Sequence, residues 1–338
     1  MKKRRIAAMG LLFLCLLFAF GAAKKIQRIY PVISLRYDAA APLTRKNVTD
    51  ALTFALDESN SNALYPTFWR ETKGEVIANQ KKEKATVLYF IGSGADCYAA
   101  EFVAGGYPGD ADANGCALST QAAWKLFGSN DIIGQELTNH KKTFVVRGVF
   151  QESQSVCLAG ADKNTLFAAM ELSGTNAADR RAQALSFVQK TGLPMPAQMV
   201  YGPSIAALAQ MICAVPLFLA ALYVLCAAWR QSKTLSAPKR QFYCFLAALF
   251  CALLLPFLLT QIPAWLLPPR WSDFSFRTAL HATIKERMTE WFALAPCAKD
   301  VQAKISLLQT AGCSTLAAGI VLYLLSAYKK AFLKCTVP

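Results

Sequence analysis

Four stretches of this chain run without a charged side chain for long enough to cross a bilayer, and they constrain its fold more than anything else. The first is Ile6–Ala23, eighteen residues between Lys2-Lys3-Arg4-Arg5 and Lys24-Lys25. At 1.5 Å per residue that is about 27 Å of helix, enough for one span. A cleaved signal peptide is the rival reading. The run is long for a signal core and more spans follow, which favours an uncleaved anchor. Cys15 sits mid-run, so it is not a lipoprotein signal. No charge appears from Thr191 to Trp229, where Pro194, Pro196, Gly202 and Pro203 break the early part and leave a span at Ile205–Trp229. Gln241–Pro269 holds a third at Phe242–Leu266, with kinks expected at Pro256 and Pro263, and Ile305–Tyr328 is the fourth. Hydrophobic residues make up 54% of the 338 and charged ones only 17%, against about 25% in soluble proteins. The apolar excess is stored in these runs.

The net charge of +15, from 36 Lys+Arg against 21 Asp+Glu, raises nucleic acid as a partner, but its placement decides otherwise. With a cytoplasmic N-terminus, the inside segments are Met1–Arg5, Arg230–Arg240 and Lys329–Pro338. They carry four, four and three Lys+Arg and no acidic residue. The outside segments, Lys24–Pro203 and Arg270–Lys304, mix both signs. That is the positive-inside pattern: a multi-pass plasma-membrane protein with both termini cytoplasmic and a large extracytoplasmic domain. Short basic clusters abutting spans meet anionic headgroups, and no nucleic-acid partner is expected.

The outside segment is long enough to bury a core of its own. Leu43–Ser59 reads as a helix capped by Thr44, with Val48, Leu52 and Leu56 on its apolar face. The run Thr86–Ile91 reads as a strand stopped by Gly92 and Gly94. A short strand at Cys116–Leu118 leads into a Ser/Thr-capped helix with Ala123, Trp124 and Phe127 inward and Gly128 as its left-handed stop. Ile132–Leu137 and Thr143–Phe150 flank the turn Thr138-Asn139-His140-Lys141 as a hairpin. Phe167–Leu172 follows as a strand and Ala177–Lys190 as a helix. Alternating strands and helices give a mixed α/β domain.

These residues carry a resemblance. Gly105-Gly106, acidic Asp110, the strand into Ser119, Ala122-Ala123-x-x-Leu126-Phe127-Gly128, Ile133-Gly134, the hairpin, and Phe144-x-Val146-x-Gly148-Val149 resemble the extracytoplasmic core domain of MacB-like and FtsX-like ABC transporter permeases. The likeness is strongest over Ser119–Phe150 and loose over Leu43–Lys190, and the order of one span, a large outside domain and three spans agrees with it. The resemblance implies an integral membrane fold with four transmembrane helices, one N-terminal and three C-terminal, and a MacB-like core domain. Residues 1–28 would form the tail and first span, 29–203 the core domain and 204–338 the three-helix region. Phe127, Gly128, Gly134, Gly148 and Val149 would be architectural. The implied partners are a separate ABC ATPase subunit, a second permease as homodimer or heterodimer, and the bilayer.

One departure matters. Relatives carry an Arg-x-x-Glu-Ile-Gly type coupling motif after the second span, whereas this chain reads Arg230-Gln231-Ser232-Lys233-Thr234-Leu235-Ser236-Ala237-Pro238-Lys239-Arg240. Either Arg230, Lys233, Lys239 and Arg240 dock an ATPase through a short basic loop, or the chain has lost transport and serves as a membrane-anchored binding or scaffold protein of the envelope. The outer loop 270–304 contains an amphipathic helix with Phe276, Leu280, Ile284, Met288 and Trp291 on one face. It lies in the interface plane or packs on the outside domain, with substrate gating as the alternative. No P-loop, nucleophile elbow or His-rich cluster is legible. The chain is expected to be no enzyme and to hold no cofactor or metal. Cys97, Cys116 and Cys157 lie outside, where a disulfide between two of them is permitted but not dictated. Asn47-Val48-Thr49 is a glycosylation sequon only for a secretory pathway, which the resemblance argues against.

Overall fold

The structure, a computed structural model, describes residues 2–38, 41–57, 64–110, 112–174, 180–232, 275–295 and 297–335, with scattered positions between 238 and 252. It divides into two compact units. One is Arg28–Pro203 together with Met288–Val301; the other is Met1–Gln27, Ser204–Arg287 and Gln302–Pro338.

The second of these is helical. Its described helices are α1 (Lys2–Ile29), α6 (Gly202–Ser232), α7 (Ser275–Ala293) and α8 (Ala298–Cys335), some of which extend into the other unit. Three stretches are long and apolar enough to cross a membrane: Ile6–Ile29, Gly202–Ala221 and Ala298–Ser326. The span expected at Phe242–Leu266 lies largely outside the described residues. Pro216 sits inside α6 and cannot donate to the carbonyl four residues back, which leaves the Ile212 carbonyl unpaired within the helix. Ser314 of α8, itself buried, donates its hydroxyl to that carbonyl. A neighbouring helix thus satisfies the backbone group that proline frees in an apolar setting.

The other unit is the α/β domain. Its ten strands are β1 (Ile33–Arg36), β2 (Tyr65–Ala78), β3 (Lys81–Ile91), β4 (Phe102–Gly105), β5 (Gly115–Ser119), β6 (Glu136–Asn139), β7 (Lys142–Phe150), β8 (Val156–Gly160), β9 (Ala169–Ser173) and β10 (Gln198–Tyr201). They form one sheet in the order β10-β1-β9-β2-β3-β8-β5-β7-β4, and β6 bridges β7 back to β2. The pairings β2–β3–β8–β5–β7–β6–β2 therefore close a six-stranded ring. β2 belongs to both halves: it pairs with β9 over Tyr65–Trp69 and with β6 at Val76 and Ile77.

Two cores follow from this division. Within the ring, Val76, Val87, Leu118, Phe144, Val146 and Val149 pack with Ala123 and Leu126 of α4 (Thr120–Phe127). On the β1–β9 side, Leu35, Phe68, Phe167 and Leu172 pack with α2 (Arg45–Asp57) and α5 (Arg180–Lys190). The expected faces shift by a residue or two. α2 buries Val48, Ala51 and Ala55 and leaves Leu56 74% exposed; α4 buries Ala122, Ala123 and Leu126 and leaves Trp124 58% exposed. Each buried face combines one larger aliphatic, Val48 or Leu126, with two alanines, and Leu56 and Trp124 take the rim.

Ser119 shows how tightly α4 is seated. Its buried hydroxyl accepts from Ala122 N at 3.2 Å as helix cap and from Val156 N at 3.0 Å on the neighbouring β8. Ser119→Ala is expected to cost about 2 kcal/mol, because the cap is lost and a buried Val156 N–H is stranded. A chemical denaturation midpoint on the full chain measures this; a loss below about 0.5 kcal/mol, the usual range for surface changes, overturns it.

Candidate functional site

The most highly charged buried cluster of the described residues lies where the α/β domain takes in its non-contiguous segment, Met288–Val301. The sequence places Tyr30 directly after α1, and Arg36 and Ser34 on the short strand β1. Trp69 and Glu71 come from β2, Asp96 from the single turn α3 (Gly94–Cys97), and Glu171 from β9. The segment brings Trp291 from the end of α7, then Cys297, Ala298, Lys299 and Asp300, which open α8.

The side chains interlock. Lys299 is 1% exposed and Glu171 is 0% exposed, and their charges meet at 3.0 Å on Glu171 Oε1. The same oxygen accepts from Ser34 Oγ at 2.7 Å and Trp69 Nε1 at 2.9 Å, while Lys299 also donates to the Asp96 carbonyl at 2.6 Å. Asp300 accepts from Arg36 at 3.0 Å, from the Tyr30 hydroxyl, and from the Cys297 thiol at 3.0 Å. Trp291 Nε1 donates to the Tyr30 oxygen at 3.0 Å, and Ala298 N to Glu71 Oε2 at 2.8 Å. The Arg36 guanidinium lies over the Trp69 ring, 4.6 Å from its centre. Asp300 also falls in the first turn of α8, where a negative charge meets the positive end of the helix dipole.

The electrostatics follow from burial. Desolvation opposes the charge on Arg36, but Asp300, then Cys297 and Glu171, hold the guanidinium above its ordinary value. Burial pushes the Tyr30 phenol well up, with the Asp300 charge acting the same way. Burial likewise raises the Glu71 and Asp96 carboxyls above the usual range, and pushes the Cys297 thiol up to about 12. A thiol so displaced is not a nucleophile at neutral pH. The cluster is a fastening. Chemically it can hold the head of α8 against β1, β2 and β9.

The residues singled out by the sequence lie elsewhere. Phe127 ends α4 and is partly buried. Gly128 follows it in the left-handed region at φ 73°, its N–H on the Trp124 carbonyl. Gly134 has φ 84° and donates to the Val146 carbonyl at 2.8 Å. Gly148 and the buried Val149 lie on β7. None of the five enters the fastening. Arg230 is in α6, while Lys233, Lys239 and Arg240 lie outside the described residues. Cys97, Cys116 and Cys157 are free thiols here. Tyr30, Arg36, Glu171, Lys299 and Asp300 escaped the sequence reading. The one available signal was an adjacent Lys-Asp pair at the head of an apolar run.

Three solved structures share features of this α/β architecture. The domain is similar to the extracytoplasmic domains of ABC-type permeases. The extracellular domain of the noncanonic ABC-type transporter YknZ from Gram-positive bacteria is 12% identical, over 49% of this chain and 96% of that one, with a TM-score of 0.38. The periplasmic region of MacB from Actinobacillus actinomycetemcomitans is 12% identical over 52% and 89%, with a TM-score of 0.42. A domain of a permease protein from Porphyromonas gingivalis is 15% identical over 47% and 83%, with a TM-score of 0.33. No family model matches the chain, and no curated protein matches it.

Proposed function

We propose that this chain is the permease-like transmembrane subunit of an ABC-type transport or mechanotransmission complex, in which a separate ATPase drives movement of the extracytoplasmic domain. The observation that carries this reading is the way the domain is tied to the helices. Only three residues separate α1 from β1, and none separates β10 from α6. The third tie is α8, whose first residues are built into the domain by the Lys299–Glu171 and Asp300–Arg36 ion pairs. A domain that merely needed anchoring would be served by one helix and a flexible linker. Three short ties suit a domain that must follow helix movement. In this reading both termini are cytoplasmic, the chain works as a dimer with itself or a second permease, and it performs no covalent chemistry.

The scaffold reading keeps one specific support, the missing Glu-Ile-Gly after Arg230. Co-purification separates the two. With the ATPase reading, the detergent-solubilised full chain retains an ATPase subunit, and deleting residues 231–240 removes it. Association that survives the deletion overturns the docking role of Lys233, Lys239 and Arg240, and a further Arg230→Gln change tests Arg230 in the same way. Absence of any ATPase in the wild-type preparation favours the scaffold.

A further inference from the structure

The α/β domain contains a cleft of about 660 Å³ that the fastening does not use. It lies on one face of the β2–β3 ladder. The register Glu71↔Leu88, Lys73↔Thr86, Glu75↔Lys84 puts Lys73, Glu75, Thr86 and Lys84 on the face opposite the ring's core residues Val76 and Val87, because side chains alternate along a strand. The β6–β7 turn borders it where β6 pairs with β2 at Val76 and Ile77. Thr138, His140 and Lys141 complete the wall.

Three ammoniums, on Lys73, Lys84 and Lys141, face one carboxylate, Glu75, in this lining. Among the described residues none of these four forms an ion pair, whereas Lys125 is held by Glu83 and Arg147 by Asp112 on the same domain. Lys82, opposite the lining residue Ile77 in register and on the same face as Lys84, adds a further positive charge beside the cleft. The β2–β3 and β6–β7 turns hold every non-glycine residue with positive φ among the described residues: Asn79, Gln80, His140 and Lys141. Lys141, at φ 67°, occupies a position where glycine would spare about 1 kcal/mol. The fold does not require lysine there.

We propose that this cleft binds a phosphate-bearing anion. A concave site of one charge sign focuses its field on an oppositely charged ligand, and the volume falls in the range of small-ligand sites, about 300–1,000 Å³. Lysine ammoniums with the Thr86 and Thr138 hydroxyls suit the dispersed oxygens of a phosphate. The lining has no arginine fork of the kind that grips a planar carboxylate. The phosphate belongs either to a soluble ester or to a lipid headgroup.

The test uses the full chain in phosphatidylcholine nanodiscs, titrated with inorganic pyrophosphate by calorimetry. Saturable binding is expected, weakened about tenfold by the triple variant Lys73→Gln, Lys84→Gln, Lys141→Gln, as for lost charged hydrogen bonds. Glu75→Gln removes the opposing charge and is expected to tighten binding. All four changes are exposed or half-buried, so the melting temperature should hold. Co-sedimentation of the same nanodiscs with phosphatidylglycerol vesicles separates the sources. Lysine-dependent sedimentation assigns a lipid headgroup, and pyrophosphate binding without sedimentation assigns a soluble ester. If neither probe binds, or the triple variant binds both as wild type does, the site is overturned.

Discussion

Replacing Lys299 with Met is expected to lower the melting temperature of the full chain by roughly 10 °C, the largest single-residue effect in the fastening. Met keeps most of the side-chain volume, so the packing against Tyr30 survives and the change isolates the charge. What remains is Glu171, fully buried, with Oε1 held by Ser34 and Trp69 and with Oε2 making no hydrogen bond among the described residues. Two magnitudes compete here. The net worth of an intact buried ion pair is small, because desolvation of both charges offsets their attraction. Removing one partner costs about 3–5 kcal/mol, because the desolvation of the other is left uncompensated. The second effect governs this variant. The charge-free pair Lys299→Met, Glu171→Gln is therefore expected to recover more than half of the loss. Thermal unfolding of the three proteins checks this. A single variant that melts within about 2 °C of wild type, or a double variant no better than the single, removes the fastening as a stabilising device.

The fastening also marks where sequence reading stops. Arg36 and Asp300 lie 264 positions apart and Tyr30 and Trp291 lie 261 apart. Nothing in local periodicity links such residues. Three of the four expected spans overlap described helices long and apolar enough to cross a membrane, and they were legible because a bilayer imposes composition over a whole helix. α4 was legible because its signals are local: the Ser119 cap and the Gly128 stop belong to the backbone immediately beside them. Most of the β2–β3 hairpin was missed beyond Thr86–Ile91. Lys81-Lys82-Glu83-Lys84 and Arg70-Glu71-Thr72-Lys73 hide the strand pattern under charge, since one face of that ladder carries the cleft and the fastening instead of a core. Its turn, Asn79-Gln80, also lacks the glycine that normally announces a tight hairpin. Among those charged positions, Glu71 belongs to the fastening and Lys73 and Lys84 to the cleft.

Gly148→Ala is expected to destabilise the domain by about 3 kcal/mol or more, for a reason unrelated to charge. β7 is the central strand of its half, paired with β5 in parallel and with β4 and β6 antiparallel. The Gly105-Gly106 backbone crosses Arg147-Gly148 so closely that a Cβ on Gly148 would press into the Gly106 backbone and lie 2.7 Å from Phe102 Cε1. Gly105, at φ 67° and opposite Gly148 in register, has no freedom to retreat without breaking the ladder. Overpacking of this kind usually costs 1–3 kcal/mol. Here the loss of β4 pairing adds to it, because the Phe102–Phe150 ring contact at 6.0 Å goes with that strand. Gly134→Ala is the control. Its φ of 84° makes alanine strained, but nothing lies within 4 Å of the added Cβ, so only the left-handed penalty of about 1–2 kcal/mol applies. Urea midpoints on the full chain should rank wild type above Gly134→Ala, and Gly134→Ala above Gly148→Ala. If the two variants unfold at the same midpoint, the close crossing of β4 over β7 is not what requires glycine at 148.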